Sequence, residues 1–228
     1  MNWSKIAVIN AALGGWYPVG QRRLRRSLIE TGFAGDILCW EDWPNDHFDK
    51  GCVYNVKASA FVEAISLGYE IILWIDCSGW AIKDITPIIK RVHDDGYFIL
   101  SSKHNCAQTC SDRCLEHFKV SRDEAEHIPD SSTITFGIRR TNPIAESFLS
   151  KWIDSALAGA FFGNREHDPA DSKDPRFLFH RQDQACASLA AHQSKMKLTD
   201  FGGLCAYDVP PMEGMGRSEE THLIYRGI

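Results

Sequence analysis

Short apolar runs alternate with helix-like segments along the first hundred residues, and this alternation constrains the fold more than any other feature. Four runs predict buried strands: residues 5–10 (KIAVIN), 36–40 (DILCW), 71–75 (IILWI) and 97–101 (YFILS). Apolar residues recur at helical spacing over residues 21–31 and 56–67, and Gly32 and Gly68 follow as left-handed stops. Strands that alternate with helices predict an α/β fold with a mostly parallel sheet.

The alternation continues to residue 101 and then breaks. A third helix should begin with Thr86 as N-cap and Pro87 at its first position, and end at Gly96. Residues 102–130 are polar and rich in cysteine, with a capping-box pattern at Ser121 and Glu124, and they predict an excursion from the regular repeat.

The second half of the chain carries fewer regular signals. Alternating residues predict a strand at 132–138, and Asn142 with Pro143 begins a helix that has a long apolar stripe. Residues 163–176 are nearly all polar and predict a mobile loop, residues 181–192 predict a last helix, and the tail from residue 202 is expected to be irregular. There is no internal repeat and no domain linker.

Length, charge and cysteine usage bound the class of protein. The 228 residues are 44% hydrophobic and 24% charged with a net charge of −5, which predicts one globular domain and no nucleic-acid partner. There is no apolar run long enough for a transmembrane segment and no convincing secretory signal, so we expect a cytoplasmic protein. In that compartment the eight cysteines are expected to be reduced thiols.

The apolar run at residues 71–75 ends directly on a carboxylate, Asp76, and Cys77 and Ser78 follow. In open α/β sheets, ligands bind beyond the carboxyl ends of the strands. A carboxylate at that edge loses water on its strand side and is stable only beside a cation, hydrogen-bond donors or a metal ion. The residues alone leave two interpretations open, a ligand-binding aspartate or an aspartate that caps a turn.

Several segments resemble nucleotide-sugar-dependent glycosyltransferases of the GT-A fold. Tyr54 and Lys57 precede the strand ILWIDCS, and KDITPI follows it; HRQDQACASLA (residues 180–190) resembles the family's "DQ" helix. The segments STITFGIRRTNPIAESFLSKW, GGWYPVGQRRLRRSL and HLIYRGI also fit. The resemblance implies a single Rossmann-like α/β/α sandwich over residues 1–228, with a donor-binding half at about 1–101 and an acceptor and catalytic half at about 102–228.

The implied activity moves a sugar from a nucleoside-diphosphate sugar to a saccharide or another hydroxyl acceptor. Asp183 is implied as the base that takes the acceptor's proton, although an aspartate in the first turn of a helix needs no such role. Trp16 and Tyr17 are candidates to stack on a nucleobase. The implied donor-binding residues are Ala11, Trp16, Tyr54, Lys57, Asp76, Ser78 and Arg226, and the implied acceptor-binding residues are Trp80, His180 and Gln184.

The sequence departs from the family at the second acid of its D-x-D motif, where Ser78 stands. The resemblance implies a weakly required Mn²⁺ or Mg²⁺ held by Asp76, Ser78 and His222, because such ions need few protein carboxylates. Transfer without a metal, supported by cationic side chains, stays open. So does a non-catalytic protein that binds nucleotide sugars or carbohydrate on the same scaffold.

Two other enzyme classes are disfavoured. No G-x-G-x-x-G follows the first strand, which argues against a dinucleotide oxidoreductase, and Ser78 replaces the second acid that an aspartyl phosphatase would need. The sequence does not indicate an oligomeric state.

The sequence alone allows two interpretations for each of two further clusters. Cys106, Cys110 and Cys114 are spaced four apart between His104 and His117, which fits either buried thiols or a zinc site. The arginines of QRRLRR (Arg22, Arg23, Arg25 and Arg26) fit either a solvated helix face or a position near the donor phosphates.

Overall fold

The computed structural model describes residues 1–226, and its elements follow the predicted alternation. The strands are β1 (Ile6–Ala11), β2 (Asp36–Trp40), β3 (Ile71–Ile75), β4 (Gly79–Ala81), β5 (Tyr97–Asn105), β6 (Pro129–Arg139), β7 (Cys205–Tyr207) and β8 (Leu223–Tyr225). The helices are α1 (Tyr17–Glu30), α2 (Asn55–Ser66), α3 (Thr86–Asp95), α4 (Cys106–Thr109), α5 (Asp112–Phe118), α6 (Arg122–Glu126), α7 (Pro143–Leu157) and α8 (Asp183–Gln193), and a 3-10 turn spans Trp3–Lys5.

A five-stranded sheet in the order β2-β1-β3-β6-β5 forms the centre. Strand β1 pairs in parallel with β2 and with β3, whereas β6 is antiparallel to both β3 and β5. Four of the five strands therefore run in one direction. This arrangement confirms the predicted α/β fold with a mostly parallel sheet.

Helices cover both faces of this sheet. Every residue of β1 and β3 is buried, as expected for strands covered on both sides. On one face, α2, α7 and α8 pack through an aromatic cluster in which Phe61 stacks on Phe136 at 4.7 Å and Trp152 meets both rings edge-on. On the other face, α1 and α3 pack through aliphatic residues such as Leu24 and Ile89. The result is the predicted α/β/α sandwich.

Two predicted helix starts are wrong. Helix α1 begins at Tyr17 rather than residue 21, because Pro18 suits the first turn although the segment shows little apolar periodicity. Thr86 is the first residue of α3 and not its N-cap, which is Ile85. The Asp84 Oδ1 atom accepts the backbone N–H of Thr86 at 3.0 Å and its hydroxyl at 2.9 Å.

The tail is not irregular, because it contributes two strands to a second sheet that the sequence did not reveal. This sheet has the order β4-β8-β7, with β8 antiparallel to β4 and parallel to β7. Strands of three residues are too short to show an alternating pattern. Gly79 is required at its edge, because a Cβ there would lie 2.6 Å from the Tyr225 ring. The second sheet thereby brings Tyr225 and Arg226 next to the turn after β3.

The excursion after residue 101 consists of an extension of β5, three short helices and the start of β6. The capping box predicted at Ser121 and Glu124 is present at the start of α6. None of the helices within residues 1–226 has the length and apolarity needed to cross a membrane.

Candidate functional site

The carboxyl edge of the central sheet carries the candidate site. Asp76 follows β3 directly, its backbone N–H donates to the Ile134 carbonyl at 2.8 Å, and Gly79 closes a turn by donating to the Asp76 carbonyl at 2.9 Å. Because β6 is antiparallel to its neighbours, its first residues lie at this same edge. The start of α8 packs against β6 there, which brings Asp183 to Asp76.

Lys57 joins these two carboxylates. Its Nζ atom lies 3.2 Å from Asp76 Oδ1 and 3.0 Å from Asp183 Oδ2, and it donates to the Thr133 carbonyl at 3.1 Å. The exposed fractions of the side chains are 11% for Lys57, 26% for Asp76 and 4% for Asp183. A buried ammonium between two carboxylates is stable because each charge has a partner.

Aromatic and hydroxyl donors fix both carboxylates. The Trp74 indole donates to Asp76 Oδ1 at 2.6 Å, and the Thr133 hydroxyl donates to Asp183 Oδ2 at 2.7 Å. Burial lowers the pKa of Lys57, but Asp183 and Asp76 together outweigh burial, so its pKa is raised and it stays charged. Burial raises the pKa of Asp76 despite the opposing effects of Lys57 and Trp74.

The residue before Asp183 has a strained backbone. Gln182 has φ 47° and ψ −116°, a conformation that side chains other than glycine rarely adopt, and its Nε2 atom donates to the Gly163 carbonyl at 3.1 Å. The Asp183 carbonyl accepts the Trp152 indole N–H at 2.9 Å. Strained backbone conformations are frequent at functional sites, where contacts with the surrounding structure maintain them.

Two arginines flank the turn after β3. The Arg23 Nη2 atom donates to the Ser78 carbonyl at 2.9 Å, and its guanidinium carbon lies 4.3 Å from the centre of the Trp80 ring. The backbone of Arg226 donates to the same carbonyl at 3.3 Å. Partial burial and the nearby Arg226 both lower the pKa of Arg23. The sequence left Arg23 among four similar arginines. Gly20 lets this helix approach the turn, because a Cβ there would lie 2.4 Å from the Cys77 carbonyl oxygen.

A buried polar cluster holds the ends of β1 and β3 together. Asn10 donates to the Ile75 carbonyl, and its Oδ1 atom accepts from Gln21 at 2.9 Å and from the Cys77 thiol at 3.2 Å. Burial raises the pKa of Cys77 to about 12, so this thiol stays protonated. Ala11, an expected donor contact, is buried and accepts from the same thiol at 3.5 Å.

Two tyrosines of the second sheet were missed by the sequence reasoning. Tyr225 is fully buried, and its hydroxyl is hydrogen-bonded to Thr135 on β6. Burial raises the pKa of both Tyr207 and Tyr225, and the charge of Asp76 adds to each effect. Both side chains therefore stay neutral phenols.

The aromatic residues expected on the donor side lie at the rim. Trp16 and Tyr17 are 37% and 40% exposed and stack on each other with ring centres 4.9 Å apart. Tyr54 immediately precedes α2 and is half-buried; burial raises its pKa, and nearby Arg165 opposes the rise.

The expected metal ligands do not converge. His222 lies at the end of β8 away from Arg226, and its Nδ1 atom is hydrogen-bonded to the Asp84 carbonyl. Lys57 and Trp74 both bind Asp76 Oδ1, so only one oxygen of this carboxylate is left for an ion, and the Lys57 ammonium lies beside it. Within residues 1–226, no three histidine, cysteine or acidic side chains are grouped to hold an ion. The residues present do not fit the expected Mn²⁺ or Mg²⁺ site.

Two of the three expected acceptor residues are enclosed in the protein. His180 is fully buried; its Nδ1 atom accepts the Ser111 N–H at 3.1 Å and its Nε2 atom is bonded to the Ala160 carbonyl at 3.1 Å. Gln184 is 4% exposed, and both ends of its amide are hydrogen-bonded, to Asp130 and Arg181. In this structure the polar atoms of both side chains are engaged by internal hydrogen bonds. Trp80 alone stays at the rim.

The cysteine cluster consists of buried thiols. Cys106, Cys110, Cys114 and Cys186 are each fully buried, and the sulfur atoms of Cys114 and Cys186 are 3.5 Å apart. All eight cysteines are free in this structure.

A fully buried carboxylate, Asp130, supports the start of α8 without a cation in contact. Four neutral groups donate to it at 2.8–3.1 Å, from Ser102, Thr109, Gln184 and Ser188. Burial raises its pKa from 3.8 to about 6, so the folded protein binds this proton more tightly than the unfolded chain does.

Asp130 should therefore contribute stability that is fully present below pH 4 and is lost as the pH rises through about 6. In Asp130→Asn this dependence is absent, because the amide does not titrate. We expect the stability difference between wild type and Asp130→Asn to grow in favour of wild type by ~2 kcal/mol from pH 7.5 to pH 4. Urea unfolding across that range measures it. Asp154→Asn, at an exposed position, is the matched control for removal of one carboxylate, and a difference between wild type and Asp130→Asn that is constant with pH would contradict the expectation.

Comparisons with known proteins bear on the fold. No protein-family model matches the sequence, and no curated protein matches it. Among solved structures, the chain is similar to the apo form of WbbM, a bifunctional glycosyltransferase, with a TM-score of 0.53 and 8% identity; the match covers 99% of this chain and 46% of WbbM, less than half of its length.

The chain is also similar to the galactosyltransferase LgtC in complex with donor and acceptor sugar analogues, with a TM-score of 0.47 and 9% identity; the match covers 97% of this chain and 87% of LgtC. A third similarity is with a glycosyltransferase involved in glycosylation of the major capsid of PBCV-1, with a TM-score of 0.47 and 11% identity; the match covers 96% of this chain and 91% of that protein. The likeness to WbbM shows a glycosyltransferase fold of the GT-A-like kind.

Proposed function

We propose that this protein is a glycosyltransferase that moves a sugar from a nucleoside-diphosphate sugar to a hydroxyl acceptor. The observation that carries the proposal is the buried contact of Lys57 with both Asp76 and Asp183 at the carboxyl edge of a GT-A-like sheet. Buried charged groups of this kind in a ligand-binding edge are candidates for function, since packing alone does not need them.

Two arginines stabilise the negative charge that develops on the leaving diphosphate. When the bond between the anomeric carbon and the phosphate oxygen breaks, negative charge builds on that oxygen, and fixed cations nearby stabilise it. Arg23 and Arg226 lie beside the Asp76–Gly79 turn, and neither forms an ion pair within the part of the chain that the structure describes. Lys57 and the turn position the donor, and the stacked Trp16 and Tyr17 present an aromatic surface for the base.

Asp183 acts as the base in this proposal. Lys57 and Thr133 both bind its Oδ2 atom, and its Oδ1 atom accepts no hydrogen bond from residues 1–226. Asp183 Oδ1 takes the proton of the acceptor hydroxyl while the oxygen of that hydroxyl attacks the anomeric carbon. Asp183 is the first residue of α8, and Lys57 contacts its Oδ2 atom at 3.0 Å.

A nucleotide-sugar screen tests the proposal. We expect nucleoside diphosphates to raise the melting temperature and the matching nucleotide sugar to be consumed in the presence of glycan acceptors. Because arginines replace the metal, excess EDTA should change the rate by less than about threefold, whereas Arg23→Gln should lower it by about 100-fold. Arg25→Gln, on the exposed side of the same helix, is the matched control.

Absence of any nucleotide-induced shift would contradict the proposal. Complete loss of activity in EDTA would contradict its metal-independent form.

One observation favours a second candidate, a non-catalytic protein that binds nucleotide sugars or carbohydrate. Ser78 supplies no second carboxylate, and Asp76 is already paired with Lys57. Such a protein would bind the nucleotide sugar and leave it intact. Slow release of free sugar from the donor without any acceptor would instead identify the enzyme.

A further inference from the structure

A second group of cationic and aromatic side chains lies before α8 and at the end of β5. Arg181 comes two residues before Asp183, and its guanidinium carbon is 5.8 Å from the centre of the Phe179 ring. His104, from the end of β5, meets the same ring edge-on at 5.4 Å. We call Arg181, Phe179 and His104 the α8 basic cluster.

Arg181 is held in position by a buried relay. Its Nη2 atom donates to Gln184 Oε1 at 3.0 Å, and Gln184 Nε2 donates to Asp130 Oδ2 at 2.8 Å. Both Gln184 and Asp130 are almost completely buried, at 4% and 0% exposure. A relay of this kind fixes a guanidinium in one orientation, so less side-chain freedom is lost when it binds a ligand.

The charge of Arg181 has no direct partner. Within residues 1–226 it forms no ion pair, and its Nε and Nη1 atoms donate to no protein group. The side chain is half-buried, and the only carboxylate on its relay, Asp130, is reached through a neutral amide. Five fixed donors on a planar guanidinium match carboxylate and phosphate groups, which they bind in pairs.

The sheet order places this cluster on the acceptor side. Arg23 and Arg226 contact the turn after β3, whereas His104 lies at the end of β5, two strands away across β6. Asp183, the base of the proposed reaction, is hydrogen-bonded to Thr133 on β6, the strand between β3 and β5. A hydroxyl that approaches Asp183 from the β5 side brings the rest of its molecule over Arg181.

We infer that the acceptor is acidic and that Arg181 recognises a carboxylate or phosphate group that it carries near the accepting hydroxyl. This inference rests on the proposed function and names the class of its acceptor. Arg181 is a specificity residue in this arrangement, and Gln184 and Asp130 are positioning residues that act through it.

Binding to paired glycans tests the inference without requiring turnover. The full chain, fluorescently labelled, is applied to an array that prints uronic-acid, sialic-acid and phosphosugar glycans beside their neutral counterparts. We expect wild type to bind acidic members of the pairs, and the pattern among them separates carboxylate from phosphate. Arg181→Gln should weaken that binding by about 10- to 100-fold, and Arg181→Lys should weaken it less.

Arg113→Gln is the matched control, because Arg113 also lies over a phenylalanine ring, 6.0 Å from Phe162, and donates to a carbonyl, that of Ala158. It should bind as wild type does. Urea unfolding of each variant confirms that it is folded.

Equal binding of neutral and acidic members, binding of no acidic glycan, or unchanged binding by Arg181→Gln would overturn the inference. Nucleoside-diphosphate affinity is measured in parallel. If Arg181→Gln weakens that affinity tenfold, Arg181 contacts the donor and the inference is also overturned. If wild type binds acidic glycans but no nucleotide, the result contradicts the proposed glycosyltransferase activity and still supports recognition of an acidic glycan by Arg181.

Discussion

Lys57→Met is expected to destabilise the protein by about 3–5 kcal/mol, because it leaves the buried Asp183 and the partly buried Asp76 without their shared cation. Part of the loss should be recovered at low pH, where protonation of one carboxylate removes the repulsion. Urea unfolding at pH 5 and pH 8 measures both effects. The variant should be closer to wild type at pH 5.

Lys50→Met is the matched control for this prediction. Lys50 also contacts a carboxylate, Asp46 at 2.6 Å, but both side chains are largely exposed to solvent. Exposed pairs contribute little to stability, so Lys50→Met should unfold close to wild type at both pH values. If Lys57→Met behaved like Lys50→Met, the contact of Lys57 with Asp76 and Asp183 would not hold the site together.

Asp183→Asn is expected to lower kcat by about 10²–10⁴-fold and to leave the affinity for nucleoside diphosphate within about threefold. The amide keeps the shape of the side chain and still accepts from Lys57 and Thr133 through one oxygen, but it cannot take a proton. Single-turnover rates and calorimetric binding of the diphosphate separate the two effects.

Thr133→Val provides a graded comparison for Asp183. It removes one donor to Asp183 Oδ2 and keeps the carboxylate, so its rate should fall much less than that of Asp183→Asn. Equal turnover by wild type and Asp183→Asn would remove Asp183 from the mechanism, and the assignment of Asp183 as the base would have to be abandoned.

The elements of the central fold could be read from the sequence because their signals are local. β2 and β3 have the predicted bounds, and α2 lies within one residue of its prediction at each end. Gly32 and Gly68 follow their helices with positive φ, as expected of left-handed stops. Each of these signals lies within one turn or one strand of the residues that it describes.

Only part of the candidate site could be predicted from the sequence. The ending of a buried run on Asp76 marked the ligand-binding edge, but the sequence assigned His180 and Gln184 to an acceptor, whereas the structure engages both side chains in buried hydrogen bonds. Polar residues near a motif are equally compatible with buried hydrogen bonding and with ligand binding, and the sequence pattern does not separate the two. Arg181, between them in the chain, has no such internal partner for its charge.

The sequence by itself determined where strands and helices form and that an aspartate ends the third strand, because periodic burial and turn chemistry act between near neighbours. Only the tertiary structure decided which charges meet. Lys57 reaches β6 across 76 residues and Arg23 reaches the turn after β3 across 55. These contacts depend on strand order and helix packing. The spacing of the residues along the chain does not predict them.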